Sequence, residues 1–265
     1  MHTINKYLRI ILLLAATFGL TVNSFGQASE ESAVDDLPLP GVLFEKHINA
    51  VGGEQALLKH TTKTINGKLI IKAMGVEGSL LVVAAEPNKI KTTVELGQFG
   101  KSLSGYDGKI GWSMNPMAGN MILEGEALKQ MIAQADFYGN NLHIGKDAVK
   151  KETVQKVAFE DGEQFKVLLV DANGEESYLY FSKESGLLSG IDKMELGAMG
   201  KAPTQIRLSN YVVSDGVKTA HRISSIQNGV ESIMQIDSVS YDSLPENAFE
   251  LPSEIQDKLT SNLKN

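Results

Sequence analysis

The apolar pattern of the chain changes period along its length. Leu43, Phe44, His47, Ile48 and Val51 recur at helical spacing, and Gly52-Gly53 supplies a stop. A second short helix is predicted over Glu54–His60. From Lys63 the period becomes two: Ile65, Leu69 and Ile71 alternate with Asn66, Lys68 and Lys72. The run from Ser79 to Ala85 is apolar on both sides, as in a strand covered on both faces. Lys89 to Leu96 alternates again, with Ile90, Val94 and Leu96 on one side. Turn pairs then recur at hairpin spacing, at Asp107-Gly108, Asp161-Gly162, Asn173-Gly174, Ser185-Gly186, Asp215-Gly216 and Asn228-Gly229. Between them lie strand-like runs such as "QFKVLLV", "SYLYFS" and "TQIRLSNYVV". The pattern predicts a mainly β (α+β) chain, an antiparallel meander of about ten strands opened by helices. One helix interrupts it. Over Glu124–Tyr138, residues Ala127, Leu128, Met131, Ile132 and Ala135 share a face, and the first turn is acidic. The chain closes on a turn, an anchoring Phe249 and a short last helix.

The first residues change the picture by fixing a compartment. Lys6 and Arg9 precede an uncharged apolar run, Ile10 to Leu20, and small residues follow at Ser24, Gly26 and Ala28. This is the layout of a secretory signal peptide over residues 1–28, with cleavage after Gly26 or after Ala28. The run is short of the roughly 20 apolar residues a membrane span needs. An acidic leader over 29–41 follows. The expected location is the periplasm, with the signal removed. Loss of Lys6 and Arg9 takes the 25 basic residues to 23 against 32 acidic, a net charge of −9. Such a chain is a poor partner for nucleic acid or anionic membrane surfaces. With no cysteine, disulfides, thiolate metal sites, a cysteine nucleophile and an acylated N-terminal cysteine are all excluded.

Candidate chemistry is sparse. "GQFGKS" (Gly97–Ser102) lacks the spacing of a phosphate loop and is not followed by a helical pattern. No His-Glu-x-x-His or Gly-x-Ser-x-Gly motif occurs. His47, His60, His143 and His221 are scattered, and the acidic pairs Asp35-Asp36 and Glu175-Glu176 sit in the leader and beside a turn. No cofactor, metal or enzymatic activity is expected. The methionines are more informative: Met114, Met117, Met121, Met131, Met194 and Met199 fall on three segments. A flexible thioether suits an adaptable apolar surface, and it also fills ordinary cores.

Five segments in order are "HINAVGGEQAL" (47–57), "GYDGKIGWSMNP" (105–116), "YFSKESGLLSGID" (180–192), "NYVVSDGVKTAHRI" (210–223) and "DSLPENAFELP" (242–252). Together they resemble the periplasmic outer-membrane lipoprotein-sorting proteins, the LolA-like superfamily. The resemblance spans residues 42–252, leaving 253–265 as a C-terminal tail. It implies an unclosed antiparallel β-barrel, apolar on its concave side, with Glu124–Tyr138 as an inserted lid helix. It further implies a carrier of lipids or of lipoprotein acyl chains that supports outer-membrane transport. Its partners would be a lipid or acylated lipoprotein and inner- or outer-membrane transport proteins. The arginine that latches the lid in the family's namesake carrier has no counterpart here, since Arg207 and Arg222 both lie in late strands.

Burial of one CH₂ is worth about 0.8 kcal/mol, so a sixteen-carbon chain is worth roughly 12 kcal/mol and needs a covered cavity. The expected lining is Trp112, Met114, Met117, Met121, Leu128, Met131 and Ile132. In this reading Ile110, Trp112 and Met114 turn inward together after Asp107-Gly108. The same residues would equally suit a filled core. A ligand-free accessory domain docking on an outer-membrane or protease partner is the other function open at this point. A transmembrane barrel fits the alternating strands, but not the low aromatic content (6%) or the inserted helix.

Overall fold

The computed structural model describes residues 37–197 and 200–262. The expected export signal over residues 1–28, the acidic residues up to Asp36, and Met199 lie outside the described residues. Helix α1 (Pro40–Ala50) starts on a proline, whose missing N–H costs nothing in a first turn. It stops at Gly52 and Gly53, both at positive φ (127° and 82°), and α2 (Gly53–Leu58) follows.

Thirteen strands come next, three more than the roughly ten expected from turn spacing. In chain order they are β1 (Thr62–Ile71), β2 (Val76–Ala85), β3 (Lys89–Glu95), β4 (Lys101–Tyr106), β5 (Gly111–Asn115) and β6 (Gly119–Ile122). After helix α3 (Gly125–Ala135) come β7 (Ala148–Phe159), β8 (Gly162–Asp171), β9 (Glu176–Ser182) and β10 (Leu188–Gly197). The series ends with β11 (Gly200–Ser214), β12 (Val217–Gln227), β13 (Val230–Ser240) and helix α4 (Ser253–Asn262). The surplus comes partly from the short strands β4 to β6, too brief to show a period. Helix α3 ends three residues earlier than predicted, and Phe137 and Tyr138 pack against Ala84 and Ile90 instead.

All thirteen strands form one antiparallel sheet, in the order β6-β5-β4-β3-β2-β1-β13-β12-β11-β10-β9-β8-β7. The β1–β13 pairing joins two meanders, and the edges β6 and β7 do not meet: the barrel is unclosed. The predicted turns stand at the hairpins; Asp215-Gly216 and Asn228-Gly229 carry the paired positive φ angles of tight type I′ connections. The apolar run in β2 is not covered evenly, because Leu80 is buried while Leu81 is 39% exposed.

One geometric fact gives the sheet its curvature. Helix α3 touches β3, β4 and β5, and also β10. In a flat sheet β4 and β10 would lie seven strand spacings apart, about 34 Å. An eleven-residue helix is only about 16 Å long. The sheet therefore curls around α3, and the face beneath α3 is concave. Helix α1 fills the same side over β8–β10, through Leu43, Phe44, Leu179, Phe181 and Ile191. Val51 and Leu57 pack on Val217 further along. The C-terminal segment covers the opposite, convex face: the Lys91 ammonium donates to the Ala248 carbonyl (3.3 Å), and α4 packs against β6.

Candidate functional site: the concave face beneath helix α3

Register decides which side chains reach the concave face. A Cβ placed on Gly111 would meet the Leu128 side chain of α3 at 2.7 Å, so Gly111 and its partner Tyr106 face the helix. Neighbours along a strand point to opposite faces, so Trp112 points to the convex side. There its indole lies across Gly105, directly opposite on β4, and it is 2% exposed. Met114 shares that face. The structure thus divides the expected lining. Leu128, Met131 and Ile132 lie on α3, and Met121, paired with Ser113, lies on the α3 side of the edge strand. Met117 is 86% exposed in the β5–β6 turn, held there by Asn115, whose side-chain oxygen accepts from the Met117 and Ala118 N–H groups. Alternation is visible in a sequence; which of two alternate sets faces a helix elsewhere in the chain is not.

Helix α3 is pinned at its far side by one glutamine. The Leu196 N–H donates to the Gln130 side-chain oxygen (3.0 Å), and the Gln130 amide donates back to the Leu196 carbonyl (3.5 Å). Glu126 lies 3.9 Å from the Lys201 ammonium, which also pairs with Glu175. No arginine takes part. Directly after the helix, Asp136 accepts from His143 and Lys146. Burial works to raise its pKa, but these hydrogen bonds outweigh that and hold the carboxyl below its usual range.

The floor of the concave side carries a continuous apolar row. Leu69, Met234, Ile223 and Leu208 stand directly opposite one another across β1, β13, β12 and β11, each half-buried. Towards the hairpin tips the row opens into a cleft of about 300 Å³ with mixed walls, Leu196 and Val230 beside Glu195, Thr204 and Gln227. In the other direction come Ile236 and His221, whose Nε2 is buried without a hydrogen-bond partner. Beyond them lies a cavity of about 90 Å³ between the sheet and the segment after α3. Lys63 lines it. Its ammonium donates to the Phe137 carbonyl (3.4 Å) and sits 4.6 Å from the Phe137 ring centroid. Burial pushes its pKa down to about 8, partly offset by the charge of Asp136. The Tyr138 hydroxyl stands within hydrogen-bonding reach of the His60 carbonyl (2.9 Å) and a Glu86 carboxylate oxygen (3.0 Å). Burial first and Glu86 second raise its pKa to about 12. A third cleft, about 280 Å³, lies around His143, Asp171 and Lys193, with Leu169 and Met194 also in its walls.

Among the described residues no cluster of three or more histidines, aspartates or glutamates could hold a metal. None of the described helices is long and apolar enough to cross a membrane. The Lys63 cavity was not foreseen from the sequence. Lys63 reads as the polar start of an alternating strand, and only the folding of Phe137 and Tyr138 back over it half-buries the amine.

An unclosed antiparallel sheet curled around an inserted helix defines a class of fold, and known structures share it. No family model matches the sequence, and no curated protein matches it. Among solved structures, a LolA superfamily protein from Nitrosomonas europaea matches with a TM-score of 0.53 at 11% identity, covering 81% of this chain and 98% of that one. An outer membrane lipoprotein-sorting domain, so named, from Vibrio parahaemolyticus matches at 0.52 and 12%, covering 78% and 97%. A DUF1329 family protein from Desulfovibrio piger matches at 0.56 and 10%, covering 82% and 98%. The chain therefore has the LolA-like fold that its five sequence segments resemble.

Proposed function

We propose that this protein is an exported, periplasmic carrier of lipids or of lipoprotein acyl chains, held against its concave face. The observation that carries this reading is the row Leu69, Met234, Ile223 and Leu208, four apolar side chains left half-buried on the floor of a curled sheet. A sheet that needed only to be stable would cover such a row with its own side chains, since each buried methylene contributes about 0.8 kcal/mol. Helix α3 presents Leu128, Met131 and Ile132, the last 39% exposed, as the facing wall of the same trough. The shared fold adds support, because one of its members is named for lipoprotein sorting.

In this reading the ligand touches α3 and the strand row, while Trp112 and Met114 stabilise the sheet from behind. The cleft of about 300 Å³ and the partly open cavity of about 90 Å³ flank the row. A long chain therefore needs α3 to lift, as Gln130 is its principal tether to β10. The test is native mass spectrometry on protein purified gently from the periplasm. Copurifying lipid or acylated peptide is expected, and its loss in Met234→Asp would place it on the row. Protein that is free of lipid and takes none up from fatty acid or phospholipid dispersions would refute the carrier, leaving a ligand-free docking domain as the surviving reading.

A further inference from the structure

Lys63 lies on the concave face beside a partly open cavity, and its hydrogen-bonding capacity is mostly unspent. An ammonium has three donors. Here one of them reaches the Phe137 carbonyl at a long 3.4 Å, and no carboxylate lies within 4 Å. The charged and titratable groups around it are engaged elsewhere. Asp136, the acid that acts on it, is held by His143 and Lys146. The His60 ring bonds the Asp215 carbonyl (3.1 Å) and stacks on Tyr241 at 3.9 Å, and Tyr138 turns to Glu86 and the His60 carbonyl. A half-buried ammonium held by one long hydrogen bond and one aromatic face is under-coordinated, and an anion brought by a ligand supplies the missing partner.

We propose that the Lys63 cavity receives the carboxylate of a single-chain fatty acid whose tail runs along the concave floor over Met234 and Ile223. This rests on the carrier reading and names its ligand class. The floor has the matching order: the amine at Lys63, the unpartnered His221 Nε2, then the apolar row at Leu69. Lys63 and Leu69 are six residues apart on one strand, about 20 Å, the scale of a medium to long acyl chain. The walls near the amine, Ile65, Val239 and Val217, are apolar. A single monovalent cation balances a monoanion. A cavity of about 90 Å³ admits a carboxylate with a few methylenes but not a glycerophosphate head bearing two chains.

The test compares laurate, dodecanol and butyrate by calorimetry on the whole mature protein, wild type and Lys63→Met. At pH 7 laurate should bind at least tenfold tighter than dodecanol, and Lys63→Met should reduce that preference to less than twofold while dodecanol affinity stays unchanged. Equal affinities for laurate and dodecanol in the wild type would overturn the headgroup site and leave the carrier intact. Binding of neither would remove the carrier itself, and this inference with it. Butyrate binding as tightly as laurate would make this a small-carboxylate site and overturn the tail. The wild type alone gives a second readout that does not depend on the variant folding. As pH rises from 7 to 9.5 the amine discharges, so laurate affinity should fall at least fivefold while dodecanol affinity holds. A constant ratio across that range would refute the pairing.

Discussion

Lys63 opens β1 under the segment that follows α3, and its burial has a consequence for the ligand-free protein. With a folded pKa of about 8 against 10.5 for the free amine, the unfolded chain binds more protons between those values. Stability therefore rises with pH from 8 towards 10. Tyr138, Tyr180 and Tyr211 have raised pKa values, chiefly through burial. Above pH 10 the unfolded chain gives up phenolic protons that the folded chain keeps, and stability falls. Denaturant midpoints of the wild type should climb between pH 8 and 10, and those of Lys63→Met should not. At the same scale, Trp112→Ala removes a fully covered indole and should cost about 3–5 kcal/mol in denaturant unfolding. It should leave lipid uptake unchanged in whatever protein remains folded, because Trp112 faces away from α3. Loss of uptake by the folded fraction would count against the facing assigned here. Trp112 was legible in the sequence as an alternating strand residue beside an Asp-Gly turn, but its side of the sheet was not. Parity fixes only that Gly111 and Trp112 differ, and the contact of Gly111 with Leu128 breaks the tie.

Helix α3 was the element most readable in advance, because its stripe of Ala127, Leu128, Met131 and Ala135 has an unmistakable period. Its end was less so. The apolar Phe137 and Tyr138 extend the stripe on paper, yet they pack on Ala84 and Ile90 after the helix has stopped at Asp136. What ties α3 to β10 is a pair of hydrogen bonds between the Gln130 side chain and the backbone of Leu196, a contact between residues 66 apart with no local signature. Gln130→Ala should weaken the docking of α3 by about 1–2 kcal/mol. Amide exchange should quicken within Gly125–Ala135 while β1 and β13 keep their protection. Uniform exchange across the chain would mean that α3 is fastened elsewhere. Gly111→Ala acts on the same docking from beneath, because its methyl would lie 2.7 Å from Leu128. It should produce the same local loosening.

For the whole molecule, the seam between β1 and β13 matters most, because it alone joins the two meanders into one sheet. Gly67 stands at the bulge in that seam, where a Cβ would come within 2.3 Å of the Gln235 carbonyl oxygen. Backbone on a central strand cannot move aside cheaply. Gly67→Ala should therefore destabilise the protein by about 1–3 kcal/mol, read as a lower melting temperature in a single transition. Two separate transitions would show that the meanders fold independently. The sequence by itself determined the period of each segment, the hairpin turns, the inserted amphipathic helix and the absence of thiol chemistry. These follow from local rules, in which a side chain's polarity and a glycine's freedom act on their own neighbours. Only the tertiary structure decided the seam between the first strand and the last, the side of the sheet that α3 covers, and the half-burial of Lys63. Each of these depends on residues far apart in the chain meeting across a curled sheet, and curvature is a property of thirteen strands together rather than of any one of them.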